Sequence, residues 1–136
     1  HYNMDTTVSR KIIYMKNFVK CLDEFINIID NKFPNDVDVT YARNGIEKIK
    51  KSNPRILIEY WLNYVYLPNK VNIHNNDISF ITDGDHSVLN GVNGGTKVRD
   101  AIFRLKEPIL KLDEPIKNTL SVYMLNMSKL SILYFS

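Results

Sequence analysis

The sequence predicts an all-α fold, a single-domain bundle of about five or six helices around a central aromatic helix at about residues 53–67. Three observations lead there. The segment Asn53–Pro68 places the only tryptophan and three tyrosines among aliphatic residues between two prolines, an apolar density that calls for burial. Elsewhere, apolar residues recur at intervals of three and four over long stretches, the period of one helix face. Prolines, asparagines and aspartates fall at the ends of those stretches, where helices start and stop. A chain of 136 residues is the length of one domain with one core.

Taken in order, Ile12, Met15, Val19, Leu22, Ile26 and Ile29 form the stripe of the longest helix, from about Thr6 to Asn31, with Phe18 and Phe25 widening it. Asp5, Thr6 and Thr7 offer capping oxygens. Phe33-Pro34-Asn35-Asp36 ends it, because proline disfavours helical geometry in the residue before it and Asn and Asp favour turns. A second helix over about 38–51 turns Val39, Ala42, Ile46 and Ile49 inward. Gly45 weakens it by roughly 1 kcal/mol relative to alanine and is expected where another helix comes close.

Ser52-Asn53-Pro54 is a tight corner into the central helix, with Pro54 at a first position that needs no amide and Pro68 as the stop. Ile58, Trp61, Leu62 and Val65 make one stripe on it and Leu57, Tyr60 and Tyr64 a second, so neighbours must cover most of its circumference. Residues 69–76 are too rich in asparagine for a strand, although Val71 and Ile73 alternate. Asn76 or Asp77 caps a short helix carrying Ile78, Phe80 and Ile81, and residues 82–95 read as a flexible Gly-rich loop. Thr96 starts a helix with Val98, Ile102, Leu105 and Ile109 aligned, which Pro108 should kink or end near Lys106. Asp113 caps the last helix, where Ile116, Leu120, Tyr123, Met127, Leu130 and Tyr134 face the core.

Composition narrows function without naming it. Hydrophobic residues at 44% and charged residues at 24% argue against wholesale disorder, and no apolar run approaches the roughly 18 residues of a membrane span. The lone Cys21 cannot pair internally, which suits a reducing compartment, and a buried structural thiol is its plainer reading. Net charge is only +3. Lys48, Lys50, Lys51 and Arg55 at the second corner, with Lys97 and Arg99, are the candidate contacts for nucleic acid or another anion, against the plainer reading of a solvated charged face. Tyr60, Tyr64 and Tyr66 are candidate protein contacts, against the plainer reading of core tyrosines with bonded hydroxyls.

Catalytic arrangements are not recognisable. Serines 52, 79, 87 and 121 lie in no nucleophile elbow, and His1, His74 and His86 are far apart. Asp83, Asp85 and His86 are the best local cluster for a cation, but Asp-Gly-Asp-His is an ordinary solvated turn, so neither metal nor cofactor is expected. Residues Asn90–Lys97 place glycines before a helix start, as phosphate-binding loops do, yet match no nucleotide-binding pattern.

Several of these segments together resemble a family of short helical proteins encoded by large nucleocytoplasmic DNA viruses. They are Phe33-Pro34-Asn35-Asp36, the helix Val39–Lys51, the Ser52-Asn53-Pro54 corner, the run Ile58–Tyr66 and the turn Asp77-Ile78-Ser79-Phe80. The likeness covers roughly Phe18 to Phe80, and the last helix more loosely; the Asn, Lys, Ile and Tyr content is similar to the coding bias of AT-rich viral genomes. Where that family has an acidic, aromatic turn after the central helix, this chain has its Gly-rich stretch. The resemblance implies a non-enzymatic interaction or structural protein, in the virion or as an adaptor in the host cytoplasm, not secreted. Its expected partner is a viral protein or a second copy, with oligomers and nucleic acid as further possibilities and no membrane.

Overall fold

The computed structural model describes the backbone of residues 2–83 and 95–136, and the side chains of residues 6–81, 97 and 99–136. All regular structure among them is helical, in keeping with the apolar periodicity. Helix α1 (Tyr2–Lys32) is about 46 Å long at 1.5 Å per residue and begins before the expected Thr6. Asn35 takes the left-handed conformation that turns the chain, at φ 66°. The Asp36 carboxylate then accepts the amides of Asp38 at 2.9 Å and Val39 at 3.0 Å, which starts α2 (Val37–Ser52). Arg43–Asp30 and Lys50–Asp23 ion pairs, at 2.6 and 3.3 Å, join α1 and α2 as an antiparallel hairpin.

The central segment departs from a single α-helix. Helix α3 (Pro54–Tyr60) starts on Pro54 as expected, but from Trp61 to Tyr66 the chain winds as a π-helix, and the Leu67 amide donates to the Leu62 carbonyl five residues back. Pro68 is not a stop. A 3₁₀ turn (Leu67–Asn69) carries the chain past it, Asn69 leaves helical geometry at φ −125° and ψ 27°, and α4 (Lys70–His74) follows directly. The Asn69 side-chain amide donates to the Val65 carbonyl at 2.9 Å and so supplies a partner where the regular ladder is interrupted.

Asp77 accepts the Ser79 amide at 3.0 Å and its hydroxyl at 2.6 Å at the start of α5 (Ser79–Asp83), and Ile78 and Phe80 turn into the core. The expected Gly-rich loop lies almost wholly outside the described residues. Helix α6 (Gly95–Leu110) runs through Pro108 rather than ending near Lys106, since a proline this close to a helix end interrupts few bonds. Asp113 accepts the Ile116 amide at 3.2 Å and opens α7 (Glu114–Phe135).

Packing follows the apolar stripes. Helices α1 and α7 lie antiparallel: the Tyr123 hydroxyl donates to Glu24 at 2.8 Å, and Lys11 sits 5.3 Å from the Tyr134 ring centre. The central segment crosses both, with the Trp61 ring edge-on to Phe18 at 6.2 Å and its indole N–H donating to the Ser128 hydroxyl at 2.9 Å. Helix α6 lies along α2, where Arg104 donates to Asp38 at 2.8 Å and covers the Tyr41 ring at 4.4 Å. Phe18, Ile29, Ile58, Leu120, Met124 and Met127 are fully buried where these layers meet.

Candidate functional site

The tyrosines proposed as a contact patch are largely absorbed by the core. Tyr60 and Tyr66 are buried, and Tyr64 is half-buried, edge-on to Tyr60 at 5.9 Å. Burial pushes the Tyr60 hydroxyl above its ordinary pKa. The Tyr66 hydroxyl and His74 Nε2 share a 2.9 Å hydrogen bond, which gives a buried phenol its partner. The winding of Trp61–Tyr66 wraps these residues against neighbours, so Tyr60 and Tyr66 have no face left for a partner.

Two of the basic candidates have partners within the chain. Lys50 is engaged with Glu47 at 2.6 Å and Asp23 at 3.3 Å, and the Glu47 hydrogen bond, followed by Asp23, holds its pKa above the ordinary value. Arg55 lies over the Phe135 ring at 5.5 Å. Lys48 and Lys51 are exposed on α2, Lys97 is exposed and Arg99 half-exposed on α6. Asp85, His86 and residues 90–94 lie outside the described residues, as does the Asp83 side chain; among the described residues no group of His, Cys, Asp and Glu could hold a metal ion. Burial raises the Cys21 pKa, and Glu24 adds to the rise, which keeps the thiol protonated and slow as a nucleophile.

The surface that stands out is one the sequence reading did not single out: the outer face of α7. This helix carries three serines inward beside Leu120, Met124 and Met127, and leaves three of its aliphatics largely exposed. Ser121, Ser128 and Ser131 are 3%, 0% and 0% exposed, whereas Val122, Ile132 and Leu133 are 52%, 41% and 46% exposed. The buried hydroxyls are satisfied: Ser128 donates to the Met124 carbonyl at 2.8 Å, Ser131 to the Ser128 carbonyl at 2.7 Å, and Ser121 lies within reach of the Lys117 and Asn76 carbonyls. Val122, Asn126, Lys129 and Leu133 follow one another at steps of four, three and four, an exposed row about 16 Å long with Ile132 beside it, while Leu125 is partly buried against the core. At the end of α1 beside the α7 C-terminus, Val8, Ile12 and Ile13 are half-exposed as well, although Ile12 continues the stripe buried further along. The signal was present in the sequence: residues 116–135 are apolar in nearly every direction, the mark of a helix covered on two sides.

A cavity of about 110 Å³ lies inside the bundle, between α1, α2, the central segment, α5 and α6. Phe18, Leu22, Ile46, Leu57, Trp61 and Leu105 are among its walls, and Lys97 is the one charged side chain on its lining among the described residues. Gly45 opens onto it. A Cβ built there meets nothing within 4 Å, so Gly45 does not mark a close helix approach as expected but a gap.

Comparison of the chain with protein-family models, with characterised proteins and with solved structures finds no match in any of the three.

Proposed function

We propose that this protein acts by protein contact rather than by catalysis, as a helical interaction or structural component, and that the outer face of α7 is the surface it uses. The observation that supports this reading is that α7 is apolar on both sides, with Leu120, Met124 and Met127 buried and Val122, Ile132 and Leu133 exposed on the other face. A helix apolar on both sides gains from a second layer, and a stripe at steps of three and four matches the groove of another helix. The resemblance over residues 18–80 suggests the setting, a large nucleocytoplasmic DNA virus, with the partner a viral protein or a second copy in the particle or the host cytoplasm.

Lys129, exposed in the middle of that stripe, provides the test. Amine-reactive cross-linking at natural abundance is expected to join Lys129 to another chain, and Ile132→Glu to remove that product while the helical circular dichroism stays unchanged. Cross-links confined to residues of the same chain, or an unchanged product in Ile132→Glu, would count against it.

A further inference from the structure

The cavity at Gly45 is retained by two locally unfavourable choices, and both border it. Glycine in a helix interior is a weaker helix former than alanine, yet at position 45 alanine would meet only open space. The neighbouring wall is the π-helical stretch, a winding that is rare and concentrates at functional sites, and it brings Trp61, Tyr64 and Val65 onto the lining. A core selected for stability alone would close such a gap with a methyl group and a regular turn. From the retained space, its carbon lining and the exposed ammonium at its edge, we propose that the cavity binds a small amphipathic carboxylate, its alkyl tail inside and its carboxylate at Lys97.

Size and charge fix the class. An apolar cavity of about 150 Å³ stays dry and takes benzene, so 110 Å³ accommodates an alkyl group of about five or six carbons. Water has little to hold it there, because a bound water needs two or more polar partners and the walls are nearly all carbon. Among the described residues the only charged side chain on the lining is that of Lys97, which has no ionic partner among them, so the head group that complements it is an anion. The site is separate from the α7 face and stands or falls independently of it.

Trp61, the only tryptophan, lines the cavity and reports on it directly. Titration of the full chain with hexanoate and with neutral hexanol, followed by Trp61 emission, should saturate for both, with hexanoate binding more tightly. Lys97→Met should weaken hexanoate about threefold, the scale of an exposed charge pair, and leave hexanol unchanged. Gly45→Leu should abolish both responses while the thermal midpoint is held or raised, and Ala101→Leu, from the opposite wall, supplies a second filled variant should the first not fold. The absence of a saturable response to either compound in the unaltered protein would overturn the proposal. Binding that survives in a folded, filled variant, or hexanoate affinity indifferent to Lys97→Met, would do the same.

Discussion

Small residues occupy central positions on two sides of this bundle, with opposite results. Along α7, Ser121, Ser128 and Ser131 sit where a bundle helix ordinarily presents aliphatic side chains, and the space they leave is taken up by the Trp61 indole and by backbone carbonyls that accept their hydroxyl protons. On α2, Gly45 also leaves space, but no side chain of the described residues enters it, and the gap joins a cavity of about 110 Å³. Residue size alone therefore does not decide whether a core is filled. What decides it is whether a neighbour of matching shape and polarity faces the small residue, and only α7 has one.

Substitutions on the two sides should differ in sign. The largest effect is expected at Ser128. Ser128→Leu pushes a side chain into filled space and leaves the Trp61 N–H without its acceptor, so overpacking and the unsatisfied donor together should cost about 3–4 kcal/mol in urea unfolding. A loss below about 1 kcal/mol would show that this interface yields as easily as the opposite one. Next in size, Trp61→Phe keeps most of the ring packing against Phe18 but removes the indole N–H, and about 1–1.5 kcal/mol of stability should go with it. Gly45→Ala should act the other way. Helix propensity rises and the new methyl meets no atom within 4 Å, so a gain of about 1 kcal/mol is expected in the same unfolding experiment; a loss would mean the gap is closed in solution.

The smallest effect lies away from both sides, at the exposed start of α5. The Asp77 carboxylate accepts from the Ser79 hydroxyl, the Ser79 amide and the Asn72 side chain, which lower its pKa in that order. A carboxylate held below its unfolded pKa contributes stability that is complete above the unfolded value and is lost as pH falls through the folded one. Thermal melts of the unaltered chain and of Asp77→Asn should therefore differ near neutral pH and converge in strong acid. A difference that persists or grows on acidification would assign the effect to something other than the ionised carboxylate.

How much of this was legible in the sequence depends on which property marks each element. Asp113 caps α7 and Pro54 opens α3 as their residue types foretold, because capping and proline geometry are properties of single residues, whereas Asp36 was read only as part of a turn and proves also to cap α2. The winding of residues 61–66 was not legible, since the same apolar residues serve an i−4 or an i−5 ladder and the difference is made by tertiary neighbours such as Phe18 and Ser128. Gly45 drew notice as a weak helix former, but a glycine facing a close backbone and one facing a void look alike in a sequence. Tyr60 and Tyr66 were offered both as contacts and as core; their burial, and the bond between Tyr66 and His74, follow from where the central segment lies. On α7 the buried stripe was read from its spacing, while the exposed Val122, Ile132 and Leu133 went unread because one apolar face already explained the helix.

Two faces of one helix carry the functional reading, and oxidative footprinting reads them side by side. Hydroxyl-radical labelling of the purified chain and of the protein in its native assembly should give the same low modification of the inward Leu120, Met124 and Met127 in both, and a marked fall at Val122, Ile132 and Leu133 in the assembly. Equal labelling of the outward residues in the two samples would mean that no partner covers them, and the contact role of α7 would have to be abandoned.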